Sequence, residues 1–244
     1  MNLRYLSEPT DPAACTVQVL RDLAQRPCIL FDFDGTLGNT TQSIVATART
    51  VLSDFGMSEE EMGDLRRLIG PPFPQAYTEV YGLSEKDAAT VTAHYRRLYD
   101  LCGPEAWPPF AGIPELLEQL QAKGRHLAVA SSKRQGLLER CVGDGKIADY
   151  FEAIEGKKND TNKQTKADTI QAAIDKLGFT AEQAVMVGDR HYDVAAAKQV
   201  GLPCIGVYFG DTAPAGELEE AGAITVVHSV AQLGCILCGT ELSN

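Results

Sequence analysis

The chain has no long apolar run, no excess of basic residues and only one pair of closely spaced cysteines. Each absence excludes something. A membrane-spanning helix needs about 18 or more consecutive apolar residues, and no segment approaches that length. The N-terminus carries Arg4, Glu8, Pro9, Asp11 and Pro12, so it lacks the apolar centre of a secretory signal. Lys and Arg total 22 against 33 for Asp and Glu, a formal net charge of −11. A surface of that sign repels nucleic acid and anionic lipid; neither is expected as a partner, and solubility is the plainest use of the charge. Cys235 and Cys238 form a C-x-x-C, but no second pair and no nearby histidine completes a four-ligand zinc site. Seven scattered cysteines are not the framework of a secreted disulfide-bonded domain. The expected setting is the cytoplasm, with the protein a monomer or homodimer.

Of the 244 residues, 44% are hydrophobic, enough for a sizeable core. They gather in short runs bounded by turn residues: Cys28-Ile29-Leu30-Phe31, His126-Leu127-Ala128-Val129-Ala130, Ala184-Val185-Met186-Val187, Cys204-Ile205-Gly206-Val207 and Ile224-Thr225-Val226-Val227. Such runs read as buried strands of a parallel sheet. Helical patterns lie between most of them. One opens at Pro114 and stops at Gly124, another is signalled by the capping-box spacing of Thr180-Ala181-Glu182-Gln183, a third runs from Ala167 to Leu177 before Gly178, and a fourth ends at Gly201. The alternation predicts right-handed crossovers and a doubly wound, Rossmann-like α/β core.

Residues 40–111 break the alternation, holding helical patterns but no convincing buried strand. Ser58-Glu59-Glu60-Glu61 and Ser84-Glu85-Lys86-Asp87 look like helix starts, and Ile44, Val45, Ala48, Val51 and Leu52 give an apolar stripe. The expected organisation is an extension over 1–26, a core over 27–39 and 112–244, and a helical insertion over 40–111. Gly156 to Lys163 reads as a polar connection.

In doubly wound sheets, ligands bind beyond the carboxyl ends of the strands. Those ends here carry Asp32-Phe33-Asp34-Gly35-Thr36-Leu37, Ser131-Ser132-Lys133 and Gly188-Asp189-Arg190-His191-Tyr192-Asp193, with Lys166 before a later helix. This is an inventory for phosphoryl transfer, where catalysis is mostly positioning and neutralisation of phosphate oxygens. Asp32, leaving an apolar strand, suits a nucleophile. Asp34 suits a general acid and base, and Gly35 permits the tight turn between. Ser131 and Lys166 suit donors to phosphoryl oxygens, and Ser132 and Lys133 are expected to bind the phosphate or substrate with them. Two carboxylates facing a phosphate dianion need an intervening cation. Asp32, Asp189 and the main-chain carbonyl at Asp34 offer the hard oxygens that Mg²⁺ takes, with Asp193 either orienting that shell or ligating directly. Plainer readings exist for each: a D-x-D turn, helix-capping aspartates, an N-cap serine, a solvated lysine. The conjunction at successive strand ends favours a site.

These residues resemble the haloacid dehalogenase superfamily, particularly its phosphoglycolate-phosphatase-like branch, over most of the chain from Cys28 to about Leu233. Asp32 to Leu37 is similar to its first motif D-x-D-G-T-L, Ser131 to the hydroxyl of the second, Lys166 to the lysine of the third, and Gly188-Asp189 through Asp193 to the acidic fourth. The resemblance implies an aspartyl-phosphate on Asp32, Asp34 as acid and base, Mg²⁺ as cofactor and a small phosphate ester as substrate. It also implies that residues 40–111 form a mobile cap. Arg66, Arg67 and Ile69-Gly70-Pro71-Pro72 are candidates for its substrate-facing surface. Asn39-Thr40 stands where relatives commonly have Asp-Ser, Lys163 where they often have Arg, and Arg134 where a proline is frequent. The expected activity is hydrolysis of phosphoglycolate, a sugar phosphate, a nucleotide or pyrophosphate. A sugar phosphomutase of the same fold and an inactive phosphate-binding regulator are the alternatives.

Overall fold

The computed structural model describes residues 17–158 and 164–239. The chain runs through α1 (Val17–Gln25), β1 (Cys28–Phe31), α2 (Thr41–Asp54), α3 (Glu59–Met62), α4 (Gln75–Tyr81), α5 (Glu85–Tyr99) and α6 (Ile113–Ala122). It continues through β2 (His126–Arg134), α7 (Gln135–Asp144), β3 (Ala153–Lys157), α8 (Lys166–Leu177), β4 (Ala184–Gly188), α9 (His191–Val200), β5 (Cys204–Val207), α10 (Glu217–Ala221), β6 (Thr225–Val227) and α11 (Val230–Cys238). The six strands form one parallel sheet in the order β3-β2-β1-β4-β5-β6. That order places the topological switch at β1, whose carboxyl end is flanked by those of β2 and β4.

Two-residue periodicity divides the apolar runs between two cores. Ile29, Phe31, Leu127, Val129, Val185, Val187, Ile205 and Val207 enter one, together with Leu117 and Leu120 of α6 and Leu233 and Leu237 of α11. Cys28, Leu30, Ala128, Ala130, Ala184, Met186 and Cys204 enter the other, with Ile170 and Ile174 of α8 and Ala197 of α9. Both faces of the sheet are therefore dry, which is why its strands read as continuous apolar runs. Residue 17 onward of the expected extension is part of this packing: α1 lies on α11, and Leu20 and Leu23 are buried in the first core.

β3 has no continuous apolar run, because Glu155 and Lys157 interrupt it. The buried Glu155 carboxylate is paired with Lys176 at 2.5 Å and Lys158 at 3.1 Å. Those two exposed ammonium groups make a charged residue tolerable in a strand at the sheet edge. Gly156 and Lys157 thus belong to a strand, not to a connection; Lys163 and the remainder to residue 159 lie outside the described residues. Thr180 to Gln183 does make its capping box, but around a single 3-10 turn, Ala181–Gln183. β2 runs past Ala130 to Arg134, with an irregular register between those two residues.

Between β1 and α6 the described structure is helical, without a strand. In α2 the buried residues Ile44, Thr47, Ala48, Val51 and Leu52 make one stripe. Ser58 caps α3 reciprocally with Glu61, and Ser84 caps α5 through Asp87. An aromatic ladder of Phe73, Tyr77, Tyr95, Tyr99 and Trp107, each ring 4.7–5.6 Å from a neighbour, forms the interior. The segment leaves and rejoins the sheet through two strands of chain bonded to each other, with Asn39 N–H donating to Pro108 O and Phe110 N–H to Leu37 O. Thr40 is fully buried there. No helix among the described residues is long and apolar enough to cross a membrane.

Candidate active site

Asp32 follows the last residue of β1, and its N–H donates to Val187 O of β4 at 2.9 Å, so the sheet fixes its backbone. The chain then turns: Leu37 and Gly38 N–H groups both donate to Phe33 O. Gly35 sits at φ +80°, and a Cβ there would strike the Asp189 carboxylate. Glycine is required twice over at that position, for conformation and for space. Asp189 follows β4 and is fully buried; Thr36 and Thr212 hydroxyls donate to its two oxygens. Asp193, in the first turn of α9, accepts from Arg190 N–H at 3.1 Å.

Lys166 opens α8 behind a Thr165–Asp168 capping box, which fixes where its side chain begins. Its Nζ lies 2.6 Å from Asp32 Oδ1 and 2.8 Å from Asp193 Oδ1. Burial alone would lower this ammonium; Asp193 and Asp32 overcome it and hold the pKa raised. The Asp189 carboxyl is raised well above its ordinary value, first by burial and then by the Asp193 and Asp32 charges. Asp193 is also raised, by burial and by Asp32 against the opposing pull of Lys166. Oxygens of Asp32, Asp189 and Asp193 lie within 4.8 Å of one another. Three buried carboxylates around one ammonium leave negative charge uncompensated, so their donor set fits a hard divalent cation. The Asp34 carboxylate stands outside this triad.

Ser131 is buried in β2 and its Oγ accepts from Lys133 N–H at 3.3 Å. Ser132 lines both principal cavities. Lys133, expected to bind the phosphate or substrate, turns its ammonium onto Asp34, with Nζ 2.7 and 2.9 Å from the two carboxylate oxygens. The first cavity, about 740 Å³ including its mouth, reaches from Asp32, Asp34 and Ser131 to Ile69, Phe73 and Arg96. Ile69 to Pro72 all line it, as the sequence suggests. Arg66 does not: it pairs with Asp64 and Asp211, each at 2.9 Å, on the exposed side. Arg67 donates to Asp64 O and lies over the Tyr81 ring. The arginine facing the cavity from the helical segment is Arg96, on α5. Arg134 also lines it and pairs with Asp100.

Arg190 carries no sequence signal beyond its place after Asp189. It is buried, donates to Ile69 O, and its Nε lies 2.8 Å from Glu217 Oε1. It therefore joins the helical segment to the sheet domain. Glu217 also accepts from His191 N–H and Nδ1. Burial would raise its carboxyl, but His191 and Arg190 take it down to about 2.

Residues 29–207 match the family model described as haloacid dehalogenase-like hydrolase. A 5'-nucleotidase of Pseudomonas aeruginosa is 36% identical over 89% of this chain and 97% of its own length. The tyrosine-protein kinase PtkA of Mycobacterium tuberculosis is 33% identical over 82% of this chain and 68% of its own. A solved structure from Clostridium acetobutylicum, described as a predicted phosphatase, superposes with a TM-score of 0.80 at 34% identity. It covers 86% of this chain and 96% of its own.

Proposed function

The chain belongs to the haloacid dehalogenase-like hydrolases and is a phosphatase of that family, and we propose that it hydrolyses a small phosphate monoester through an aspartyl-phosphate on Asp32. The observation that carries the reading is the placement of Asp32. It is fixed by the sheet, is paired with Lys166 and lines a cavity together with Asp34 and Ser131.

An Asp32 oxygen attacks phosphorus in line as the bond from phosphorus to the leaving oxygen breaks. Asp34 gives that oxygen its proton, and the alcohol departs. Asp34, now a carboxylate, takes a proton from water as the water attacks the phosphorus of the aspartyl-phosphate; inorganic phosphate leaves and Asp32 is restored. The Ser131 hydroxyl and the Lys166 ammonium donate to the phosphoryl oxygens throughout. Asp32, Asp189 and the Asp34 carbonyl, with Asp193 alongside, would hold Mg²⁺, which when bound neutralises phosphate charge so that a carboxylate can approach. In this reading residues 40–111 are a cap that closes on the substrate and excludes water.

The names given to the relatives span a nucleotidase, a kinase and a phosphatase. What they have in common is the phosphoryl group, while the molecule bearing it differs. Turnover is tested with Mg²⁺ on phosphoglycolate, nucleoside 5'-monophosphates, sugar phosphates, pyrophosphate and phosphotyrosine. At least one is expected to release inorganic phosphate, and Asp32→Asn is expected to abolish release from all with the melting temperature kept. Full activity in Asp32→Asn would sink the nucleophile assignment.

A further inference from the structure

Two lysines of the site, Lys133 and Lys166, divide its carboxylates between them. Lys166 takes Asp32 and Asp193; Lys133 takes Asp34 alone, reaching both of its oxygens. The Lys133 and Asp34 side chains are 6% and 17% exposed, so little water competes for either. The ammonium also lies over two ring faces, Phe33 at 5.7 Å and Tyr99 at 5.2 Å. A cation between two rings and one carboxylate has little freedom to turn elsewhere. Burial would lower its pKa, and Asp34 reverses that and holds it charged.

The backbone accounts for the aim of this side chain. Lys133 stands in the stretch of β2 where the register against β3 is irregular, between Ala130 and Arg134. Irregular strand ends re-aim side chains that a regular pleat would send along its normal. One ring of the cage, Phe33, comes from the turn that carries Asp34, and the other, Tyr99, from α5 of the helical segment.

We propose that Lys133 is a positioning residue that fixes the Asp34 carboxyl on the leaving-group side of the site, and not a donor to the transferred phosphoryl group. The proposal rests on the reading of Asp34 as general acid and base. An aspartate side chain two residues from the nucleophile has several staggered rotamers open to it. The Lys133 ammonium selects one, held apart from the triad of Asp32, Asp189 and Asp193. Proton delivery to the leaving oxygen depends on that placement, and a misplacement of about 1 Å can cost on the order of 100-fold in rate.

A role exercised through Asp34 has a signature that phosphate binding lacks. An alkyl leaving group needs the Asp34 proton, whereas p-nitrophenolate leaves without one. The experiment is single-turnover release of the leaving group from an alkyl phosphate that the protein accepts and from p-nitrophenyl phosphate. It uses the full chain with Mg²⁺, for wild type, Lys133→Met, Asp34→Asn and the double variant. For Lys133→Met, release of the alcohol is expected to slow about 100-fold, the lower range for loss of acid catalysis, and release of nitrophenolate less than about threefold. Equal slowing on both esters, with or without a lowered melting temperature, would overturn the proposal in favour of phosphate binding or general support of the fold. The double variant removes both charges and so leaves neither buried without a partner. It is expected to match Asp34→Asn, and a further loss on the alkyl ester would overturn the proposal even if Lys133→Met alone does not fold. Asp34→Asn is the separate control on the underlying reading: if it slows both esters alike, the acid assignment fails independently of Lys133.

Discussion

The carboxyl edge of the sheet and the helical segment over it build one cavity from opposite materials. On the sheet side, Asp32, Asp189 and Asp193 are buried and tied by hydrogen bonds or ion pairs, Asp32 and Asp193 to Lys166 of α8 and Asp189 to Thr36 and Thr212 of the neighbouring loops. On the helical side the lining is Ile69, Phe73 and Tyr95 with one arginine, Arg96, over an aromatic interior. Polar links join the halves at several points, among them Arg190 to Ile69 O, Arg66 to Asp211, Arg134 to Asp100, Trp107 to Asp144, and Tyr192 to Glu79 at 3.4 Å. One side is built for fixed charge and the other for shape. Chemistry is expected to fail when the first is altered and selection to change when the second is.

The largest effect that tests this division is removal of the cation. Exhaustive chelation is expected to abolish phosphate release from every ester and Mg²⁺ to restore it. Mg²⁺ alone is also expected to raise the melting temperature, since on the proposed reading it would bind the folded triad and relieve repulsion among three buried carboxylates. Asp189→Asn should weaken that thermal shift. Undiminished turnover after chelation would dissolve the contrast, because the sheet side would then work without the charge its geometry calls for.

A smaller and different effect is expected on the other side. Phe73→Ala opens the aromatic wall, where Phe73 touches Tyr77 and Tyr95, without reaching Asp32. The ratio of kcat/KM between two accepted substrates is expected to change about tenfold, in the range found when hydrophobic pocket groups are altered. A uniform fall on all substrates would show that the helical side is part of the chemical machinery.

The same contrast explains what could be read from sequence. β1 and β4 were legible because burial on both faces demands uninterrupted apolar residues. Most of the candidate site residues stand at or just after strand ends, and the structure places Asp32, Asp34 and Ser131 on one cavity and Lys166, Asp189 and Asp193 beside Asp32. β3 was not legible: Glu155 depends on Lys176, supplied by another helix. Arg66 and Arg96 are indistinguishable as sequence, since only the path of α5 decides which faces the cavity. Lys133 and Asp34 are 99 residues apart, and their pairing depends on an irregularity in β2 that no local pattern announces. Glu217 lies 27 residues beyond Arg190 on a five-residue helix.

Glu217 gives the smallest effect and tests how separate the two sides are. Its carboxyl is held at about 2 in the folded protein against an ordinary 4.5. As pH falls below 4.5 the unfolded chain takes up this proton first, so the unfolded state is favoured progressively down to about 2. Above that window the contribution is complete and independent of pH. Glu217→Gln should therefore flatten the acid limb of a plot of melting temperature against pH. For a loss on the order of 1 kcal/mol, discounted for partial exposure, it should lower the neutral melting temperature by about 2–4 °C. Because Arg190 uses Glu217 to hold its guanidinium against Ile69 O, the substitution also loosens the roof of the cavity. If the two sides are separable, KM rises modestly while single-turnover kcat stays near its wild-type value. If kcat falls as far as KM rises, Arg190 carries the position of Ile69 into the chemistry itself, and the helical side is a working part of the catalytic geometry.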